Sequence, residues 1–168
     1  RIPLESVMAK SWNKKIFKKI DEQVNQASKD LAEERGACPD AAEYGFKERF
    51  SNKTAIAPTA SISIICGGAS PGVEPIAANS YTHKTLSGSF NVRNRYLEEI
   101  LEGHGKNDDE TWSTITTNQG SVSHLDFLTD LEKDVFKTAF ELNQKWIIEL
   151  SGDRTPFISQ AQSVNLFL

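Results

Sequence analysis

A cluster of three hydroxyl side chains follows a proline in the middle third of the sequence. Thr59, Ser61 and Ser63 lie within five residues, directly after Pro58. A proline has no backbone N–H, so regular strand pairing ends there. If a helix or a strand continues from Ser61, the first free N–H groups after Thr59 converge with the hydroxyls. Such a set of donors can hold a phosphate oxygen, and we therefore predict an anion site at residues 59–63.

The sequence after this cluster is rich in glycine and proline. Gly67, Gly68 and Gly72 permit a positive φ and close backbone approach, and Pro71 and Pro75 restrict the exit path. Hydroxyls between apolar residues are also common in ordinary strands and turns. Residue type and spacing alone therefore favour a purely structural role for the cluster over an anion site.

Few other residues have the types and spacing that chemistry requires. Cys38 and Cys66 are 28 positions apart and lack CxxC spacing, and the chain has three histidines. This pattern does not indicate a metal site, and we expect two buried, unpaired thiols. His83 is followed by Lys84 and lacks the carboxylate partner of a general base, so we expect a structural or surface residue.

The composition is that of a globular protein. Of the 168 residues, 38% are hydrophobic and 25% are charged, which excludes a disordered or fibrous class. The formal net charge of −4 argues against binding to DNA or RNA, whose backbone attracts clustered lysines and arginines. One small phosphate ester remains compatible with this charge. No apolar run reaches the roughly 18 residues of a membrane span, and we expect a cytoplasmic protein.

Hydrophobic periodicity predicts two helices before the hydroxyl cluster. The first is a long amphipathic helix over residues 4–34, ended by Gly36. Its apolar face has seven members: Met8, Trp12, Ile16, Ile20, Val24, Ala27 and Leu31. The second is a shorter helix over residues 40–50. Its expected packing residues are three aromatics: Tyr44, Phe46 and Phe50.

After the cluster, the sequence predicts an extended segment and then two helices. Residues 80–92 have the β-branched and aromatic content of a strand, with a bend at Ser87 and Gly88. Asn94 is expected to cap a helix that runs to about residue 102. Either Asp108 or Asp109 is expected to cap the next helix, with Trp112 and Ile115 facing inward.

The last third predicts one long helix and a final strand. Thr129 and Glu132 have the spacing of a capping box, and apolar residues from Leu131 onward continue one face to about residue 151. Residues 157–168 are predicted to be a polar connection that leads into an apolar strand. Helices that alternate with short buried strands favour an α/β fold, without an internal domain boundary.

Five stretches of the sequence closely resemble the large (α) subunit of class I ribonucleotide reductase. Near the hydroxyl cluster they are Ala-Pro-Thr-Ala-Ser-Ile-Ser at residues 57–63 and Ser-Pro-Gly-Val-Glu-Pro at residues 70–75. The others cover residues 79–90, 133–148 and 153–167. The resemblance extends over nearly all of the chain. It is most specific from residue 52 onward.

The resemblance implies a fold, a reaction and a site. The family has a ten-stranded α/β barrel and reduces ribonucleoside diphosphates by thiyl-radical chemistry. This chain is similar to a C-terminal-half segment of that barrel, so we expect one part of a catalytic domain, not autonomous, over residues 1–168. The matching loop of the family binds the substrate phosphates. By this match Thr59 and Ser61 are hydroxyl ligands, Ala60 and Ile62 backbone donors, and Ser63 a further hydroxyl near the rim.

The resemblance also implies partners and missing parts. Cys38 and Cys66 do not match the radical cysteine or the redox pair of the family, so we expect the chain to be inactive alone. The expected partners are the substrate, the remainder of the large subunit, a second large subunit in a homodimer, and a small (β) subunit. In the family, a metal cofactor in the small subunit generates the radical, and a separate nucleotide-binding region is regulatory. The segment itself is expected to bind no cofactor. The alternatives are a phosphate-binding or interaction fragment that complements another chain, and a soluble α/β domain with a structural hydroxyl loop.

Overall fold

The structure is a computed structural model, and it describes residues 1–86 and 88–167. It contains seven α-helices in those residues: α1 (Val7–Arg35), α2 (Pro39–Glu43), α3 (Ala60–Ile65), α4 (Arg95–Gly103), α5 (Asp109–Thr117), α6 (Asp130–Val135) and α7 (Gln144–Arg154). Two strands, β1 (Ser80–Thr85) and β2 (Gly88–Arg93), lie between α3 and α4. A short 3-10 helix, Thr155–Phe157, follows α7 directly.

Helix α1 has the predicted length, but it packs through a different face. The Ser6 hydroxyl accepts a hydrogen bond from the Ala9 N–H at 3.1 Å, and the helix stops at Gly36, whose φ is 81°. The predicted apolar face is largely exposed, with Met8 at 59% and Trp12 at 51%. That part of the prediction is wrong, because α1 contacts α7 with the polar side of its first half.

Polar and charged contacts join α1 to α7. The Asn13 side-chain amide donates to the Leu150 carbonyl at 2.8 Å, and Lys14 forms an ion pair with Asp153 at 3.0 Å. Hydrophobic periodicity identified the helix correctly. It did not identify the packed face, because that face contacts α7 through polar side chains and the ring of Phe17, whose centroid lies 5.6 Å from the Arg154 guanidinium.

The predicted helix over residues 40–50 is wrong in its length. Helix α2 ends after one turn, since Gly45 has a φ of 74° and the following residues are irregular. Tyr44 and Phe46 are 73% and 65% exposed, so the predicted packing residues do not pack. The Ser28 hydroxyl of α1 instead accepts the Arg49 N–H at 3.1 Å and fixes the returning chain.

The core lies between α4, α5 and the segment that follows them. Asn94 caps α4 and Asp108 caps α5, and the Asp108 carboxylate accepts the Thr111 N–H at 2.8 Å. Both caps confirm the predictions. The residues of the main buried cluster come from α4, α5 and the segment from residue 122 to residue 136: Leu97, Leu101, Trp112, Ile115, Val122, Leu125, Leu128 and Phe136.

The long helix predicted from Thr129 to residue 151 is interrupted. The capping box at Thr129 and Glu132 is present as predicted, but α6 ends at Val135. A turn follows, in which the Glu141 carboxylate accepts the Thr138 N–H at 2.8 Å, and Asn143 then caps α7. Because these local hydrogen bonds satisfy the backbone, one apolar stripe is divided between two helices.

The strands differ from the predicted alternation of helices and buried strands. β1 and β2 form an antiparallel hairpin with Tyr81 opposite Val92, which agrees with the predicted extended segment. The Ser87 part of the predicted bend lies outside the described residues. Residues 157–167 form no regular strand. They contribute a single parallel bridge, which joins Ile56 to Gln162.

The fold class is therefore confirmed only in its coarser part. The described residues hold helices, one two-stranded sheet and one parallel bridge, so they do not confirm a ten-stranded barrel. The bridge is nevertheless supported by three backbone hydrogen bonds. Ile56 N donates to the Ala161 carbonyl at 3.1 Å, Ser163 N donates to the Ile56 carbonyl at 2.9 Å, and a third bond joins Gln160 to Thr54 at 3.1 Å.

Candidate functional site

The predicted hydroxyl cluster lies at the start of helix α3. Thr59 is the residue before the helix, and its carbonyl accepts the Ser63 N–H at 2.8 Å. Its φ of 50° is left-handed, which is unusual for a β-branched residue and costs on the order of 1–3 kcal/mol. The N–H groups of the first three helical residues, Ala60, Ser61 and Ile62, find no backbone acceptor within residues 1–86 and 88–167. They are therefore free to bind a ligand or water.

The three hydroxyls of the cluster have different surroundings. Thr59 Oγ1 accepts the Gly72 N–H at 2.8 Å, which leaves its own hydrogen free to donate. Ser61 is exposed. Ser63 is buried, and its hydroxyl donates to the Ala60 carbonyl at 2.7 Å. Ser63 is thus a structural member of the cluster, whereas a position near the rim was expected.

A cavity of about 610 Å³ lies beside α3. Its walls come from α3, the glycine and proline loop, and the hairpin with the start of α4. The polar residues of its wall are Ser63, Ser70, Tyr81, His83, Arg93, Asn94 and Tyr96. His83 is half-buried here, so the structure places it on a cavity wall within β1.

Two arginines lie close to this cavity. Arg93 forms an ion pair with Asp109 at 2.8 Å, and its guanidinium lies 5.1 Å from the Trp112 ring centroid. Arg95 donates to the Tyr96 hydroxyl at 2.8 Å and lines a smaller adjoining cavity of about 310 Å³ with Gly67 and Gly68. Positive charge therefore lies on the cavity wall formed by β2 and the start of α4, where it favours an anionic ligand.

A buried asparagine fixes the hairpin at the base of the cavity. The Asn79 side-chain amide donates to the Gly120 carbonyl at 2.9 Å and to the Phe136 carbonyl at 2.7 Å. Its oxygen accepts the Asn94 side-chain amide at 2.9 Å. All polar atoms of the Asn79 side chain are thus satisfied, and three separate segments are held to the start of β1. Asn79 was not among the predicted site residues.

Two buried charged residues were also missed. Glu74 is 4% exposed, and its carboxylate accepts the Val73 N–H at 3.2 Å and the Asn165 N–H. Arg154 is likewise 4% exposed and donates to Gln162 at 2.7 Å. Burial lowers the pKa of the Arg154 guanidinium, and the negative charge of Glu74 acts in the opposite direction. Charged residues are rarely buried without partners, but sequence alone does not identify partners so far away.

The two cysteines are free, as predicted. Cys66 is exposed and Cys38 is half-buried, so the expectation of two buried thiols is wrong. Cys66 ends α3 and its N–H donates to the Ile62 carbonyl at 2.9 Å, which leaves the side chain at the surface. Across the described residues there is no group of three or more metal-binding side chains. None of the helices described is both long and apolar enough to cross a membrane.

Comparison with known proteins identifies relatives along almost the whole chain. The profile of the ribonucleotide reductase barrel domain matches residues 40–168. The ribonucleoside-diphosphate reductase large subunit of Invertebrate iridescent virus 6 is 47% identical over 171 residues, which cover 99% of this chain and 18% of that protein. Large chain 2 of the enzyme from Saccharomyces cerevisiae is 32% identical over 198 residues, covering 100% of this chain and 23% of that protein.

A solved structure is similar in both sequence and fold. The class Id ribonucleotide reductase alpha subunit of Actinobacillus ureae superimposes with a TM-score of 0.90 at 38% identity. The match covers 99% of this chain and 30% of that one. This chain thus spans between about a fifth and a third of the length of these relatives. The profile match includes the hydroxyl cluster, the cavity and the buried charges, and the chain belongs to the ribonucleotide reductase barrel-domain family.

Proposed function

We propose that this chain is a segment of the large subunit of a ribonucleoside-diphosphate reductase, which converts ribonucleoside diphosphates to deoxyribonucleoside diphosphates. One observation carries the proposal. The chain is similar along 99% of its length to large subunits with that name. The two iridescent virus relatives are 47% and 44% identical to it, and each match covers 99% of the chain.

Within that subunit, the segment supplies the site for the substrate phosphates. The N–H groups of Ala60, Ser61 and Ile62 face an anion at the start of α3, and the free hydrogens of the Thr59 and Ser61 hydroxyls donate to the same oxygens. Ser63 acts by holding the Ala60 carbonyl, which fixes the first turn of the helix. Five donors from four consecutive residues are enough to orient a diphosphate group.

The segment also contributes strands to a ten-stranded α/β barrel. The parallel bridge between Ile56 and Gln162 and its three backbone hydrogen bonds support this proposal. Parallel neighbours need a long crossover connection, and about a hundred residues separate these two segments. In a complete barrel, each would pair on its other edge with a strand from the remainder of the subunit.

The proposed partners follow from the same reading. The remainder of the large subunit supplies the radical cysteine, since Cys38 and Cys66 are not in its sequence context. A small subunit with a metal cofactor generates the radical, and two large subunits form a homodimer. The segment would then be inactive by itself, and it would work in the cytoplasm.

A segment exchange tests the proposal. In the large subunit of Invertebrate iridescent virus 6, these 168 residues replace the matched segment, and we refer to the product as the swapped subunit. We expect it to reduce a ribonucleoside diphosphate when mixed with the viral small subunit. A swapped subunit that is folded and dimeric but forms no deoxyribonucleotide would refute the proposed activity and favour a role in binding only.

The phosphate site is tested separately within the swapped subunit. Ser61→Ala removes one donor from an exposed hydroxyl, and Thr59→Val removes another. We expect each change to raise the KM for the substrate by about 10- to 140-fold, since a hydrogen bond to a charged group contributes about 1.5–3 kcal/mol and about 1.4 kcal/mol corresponds to a factor of ten. Ser113→Ala, at an exposed position of α5, is the control and should leave the KM unchanged. Equal KM values in all three variants would exclude these hydroxyls as ligands.

A further inference from the structure

Glu74 lies behind the proposed phosphate site, where it contacts two backbone N–H groups. Its side chain is 4% exposed, and both of its oxygens are used as acceptors. Oε2 accepts the N–H of Val73 at 3.2 Å, and Oε1 accepts the N–H of Asn165, which is 91 residues further along the chain. The carboxylate therefore joins the glycine and proline loop to the C-terminal segment.

The loop that precedes Glu74 also contacts the proposed phosphate site. Gly72 N–H donates to Thr59 Oγ1 at 2.8 Å, while the following N–H, that of Val73, donates to Glu74. Two successive N–H groups of the loop are thus bonded to two different side chains, Thr59 and Glu74. Because Thr59 Oγ1 accepts from Gly72, its own hydrogen is left to donate to another group, and Thr59 is the residue that precedes α3.

A side chain added at Gly72 would collide with the Glu74 carboxylate. Gly72 has a φ of 69°, and a Cβ atom there would lie 2.6 Å from Glu74 Oε2. Real carbon and oxygen atoms do not approach so closely, so any substitution would displace the carboxylate or the loop. The backbone conformation of Gly72 and the position of Glu74 are therefore coupled.

We propose that Glu74 is a positioning residue for substrate phosphate binding, and that it acts through Gly72 and the Thr59 hydroxyl without touching the substrate. This inference rests on the proposed function. The carboxylate is suited to the role because it accepts two N–H groups at once. A glutamine has a single acceptor oxygen, so one of these N–H groups would face an NH₂ group and lose its partner.

The test uses the swapped subunit with Glu74→Gln. We expect the KM for the nucleoside diphosphate to rise about tenfold, and by no more than Thr59→Val raises it, because Glu74 acts through the Thr59 hydroxyl and small displacements of a positioning group have large effects on binding geometry. We expect kcat to stay within about twofold, as is typical when an interaction equal in the ground and transition states is lost. A merely structural role would lower the amount of folded enzyme without changing the KM of the enzyme that remains.

A matched control and a double variant make the result specific. Glu5 also accepts a backbone N–H from a distant residue, Asn143, at 2.7 Å, but it lies at the start of α1. Glu5→Gln should leave KM and kcat unchanged. Glu74→Gln combined with Thr59→Val should raise the KM no more than Thr59→Val alone, because both changes affect the same hydroxyl.

A second substitution covers the case in which Glu74→Gln does not fold. Gly72→Ala displaces the same carboxylate from the other side and should also raise the KM. Gly45→Ala is its control, since Gly45 has a similar φ of 74°, follows α2 away from the cavity and has no atom within 4 Å of an added Cβ. An active swapped subunit whose KM is unchanged by Glu74→Gln, or changed equally by Gly72→Ala and Gly45→Ala, overturns the inference alone. An inactive unsubstituted subunit overturns the proposed function and this inference with it.

Discussion

Gly120 offers a quantitative test of how the hairpin is held against the core. It has a φ of 81°, and a Cβ atom there would lie 2.4 Å from Ala78 Cβ and 2.8 Å from Asn79 N. Its carbonyl accepts both the backbone N–H of Asn79, at 3.1 Å, and the side-chain amide of Asn79. The substitution Gly120→Ala therefore forces the start of β1 away from α5.

The expected cost has two parts. A left-handed backbone costs a non-glycine residue about 1–2 kcal/mol, and overpacking of a well-packed site adds about 1–3 kcal/mol. The total is roughly 2–5 kcal/mol. Gly105→Ala is the matched control, because Gly105 has a φ of 65° between α4 and α5 and no atom lies within 4 Å of its added Cβ. The control therefore carries only the backbone part.

Hydrogen exchange measures this difference within the swapped subunit. The amides of α4 and α5 report the local opening free energy of the core around Leu97 and Trp112. Since about 1.4 kcal/mol corresponds to a factor of ten, the clash should make these amides exchange roughly 5- to 140-fold faster in Gly120→Ala than in Gly105→Ala. Equal exchange rates in the two variants would refute the close contact between Gly120 and the Ala78–Asn79 peptide.

Three further predictions follow from local geometry. Hydrogen bonds from the backbone and hydroxyl of Thr129, and then from His104, hold the pKa of Glu132 below its ordinary value of 4.5. The ionised carboxylate therefore stabilises the fold at neutral pH, and this contribution is lost as the pH falls from roughly 4.5 through the folded pKa. Glu132→Gln should make the stability depend less on pH in that range, and an unchanged acid-unfolding profile would contradict the prediction. In the native chain, a thiol reagent should modify exposed Cys66 at least several times faster than half-buried Cys38, and equal rates would be inconsistent with the structure. The isolated chain should bind a hydrophobic dye, because Ile65 and the apolar face of α1 are exposed, and a chain without dye binding would show that these surfaces are covered.

The elements that sequence predicted correctly are those whose signals are local. The caps at Asn94, Asp108 and Thr129 each bond to an N–H two or three residues away, so the signal and its effect lie in one short window. The turn after Pro58 was predicted for the same reason, and the structure resolves the open choice between helix and strand in favour of helix α3. Whether that helix binds a phosphate stays a prediction.

The elements that sequence missed depend on distant partners. Glu74 bonds to a residue 91 positions away, and the Asn79 side chain bonds to Phe136 57 positions away. Neither pairing has a periodic or composition signal. The prediction of one long helix after Thr129 failed because the side chains of Glu141 and Gln144 satisfy backbone groups of residues 138–142 that a continuous helix would otherwise use.

The apolar face of α1 is where the sequence and the structure disagree most usefully. Its first four members, Met8, Trp12, Ile16 and Ile20, are 40–59% exposed, although their spacing has the pattern of a buried stripe. Full burial of such a side chain contributes about 1.5–3 kcal/mol. A partner surface that covered the exposed parts of these four side chains would therefore stabilise the contact by several kcal/mol. The polar side of the same helix already contacts α7. If the remainder of the proposed large subunit lies against the apolar face, then both faces of α1 are packed. The hydrophobic periodicity of α1 would then correctly predict a buried face in the complete subunit.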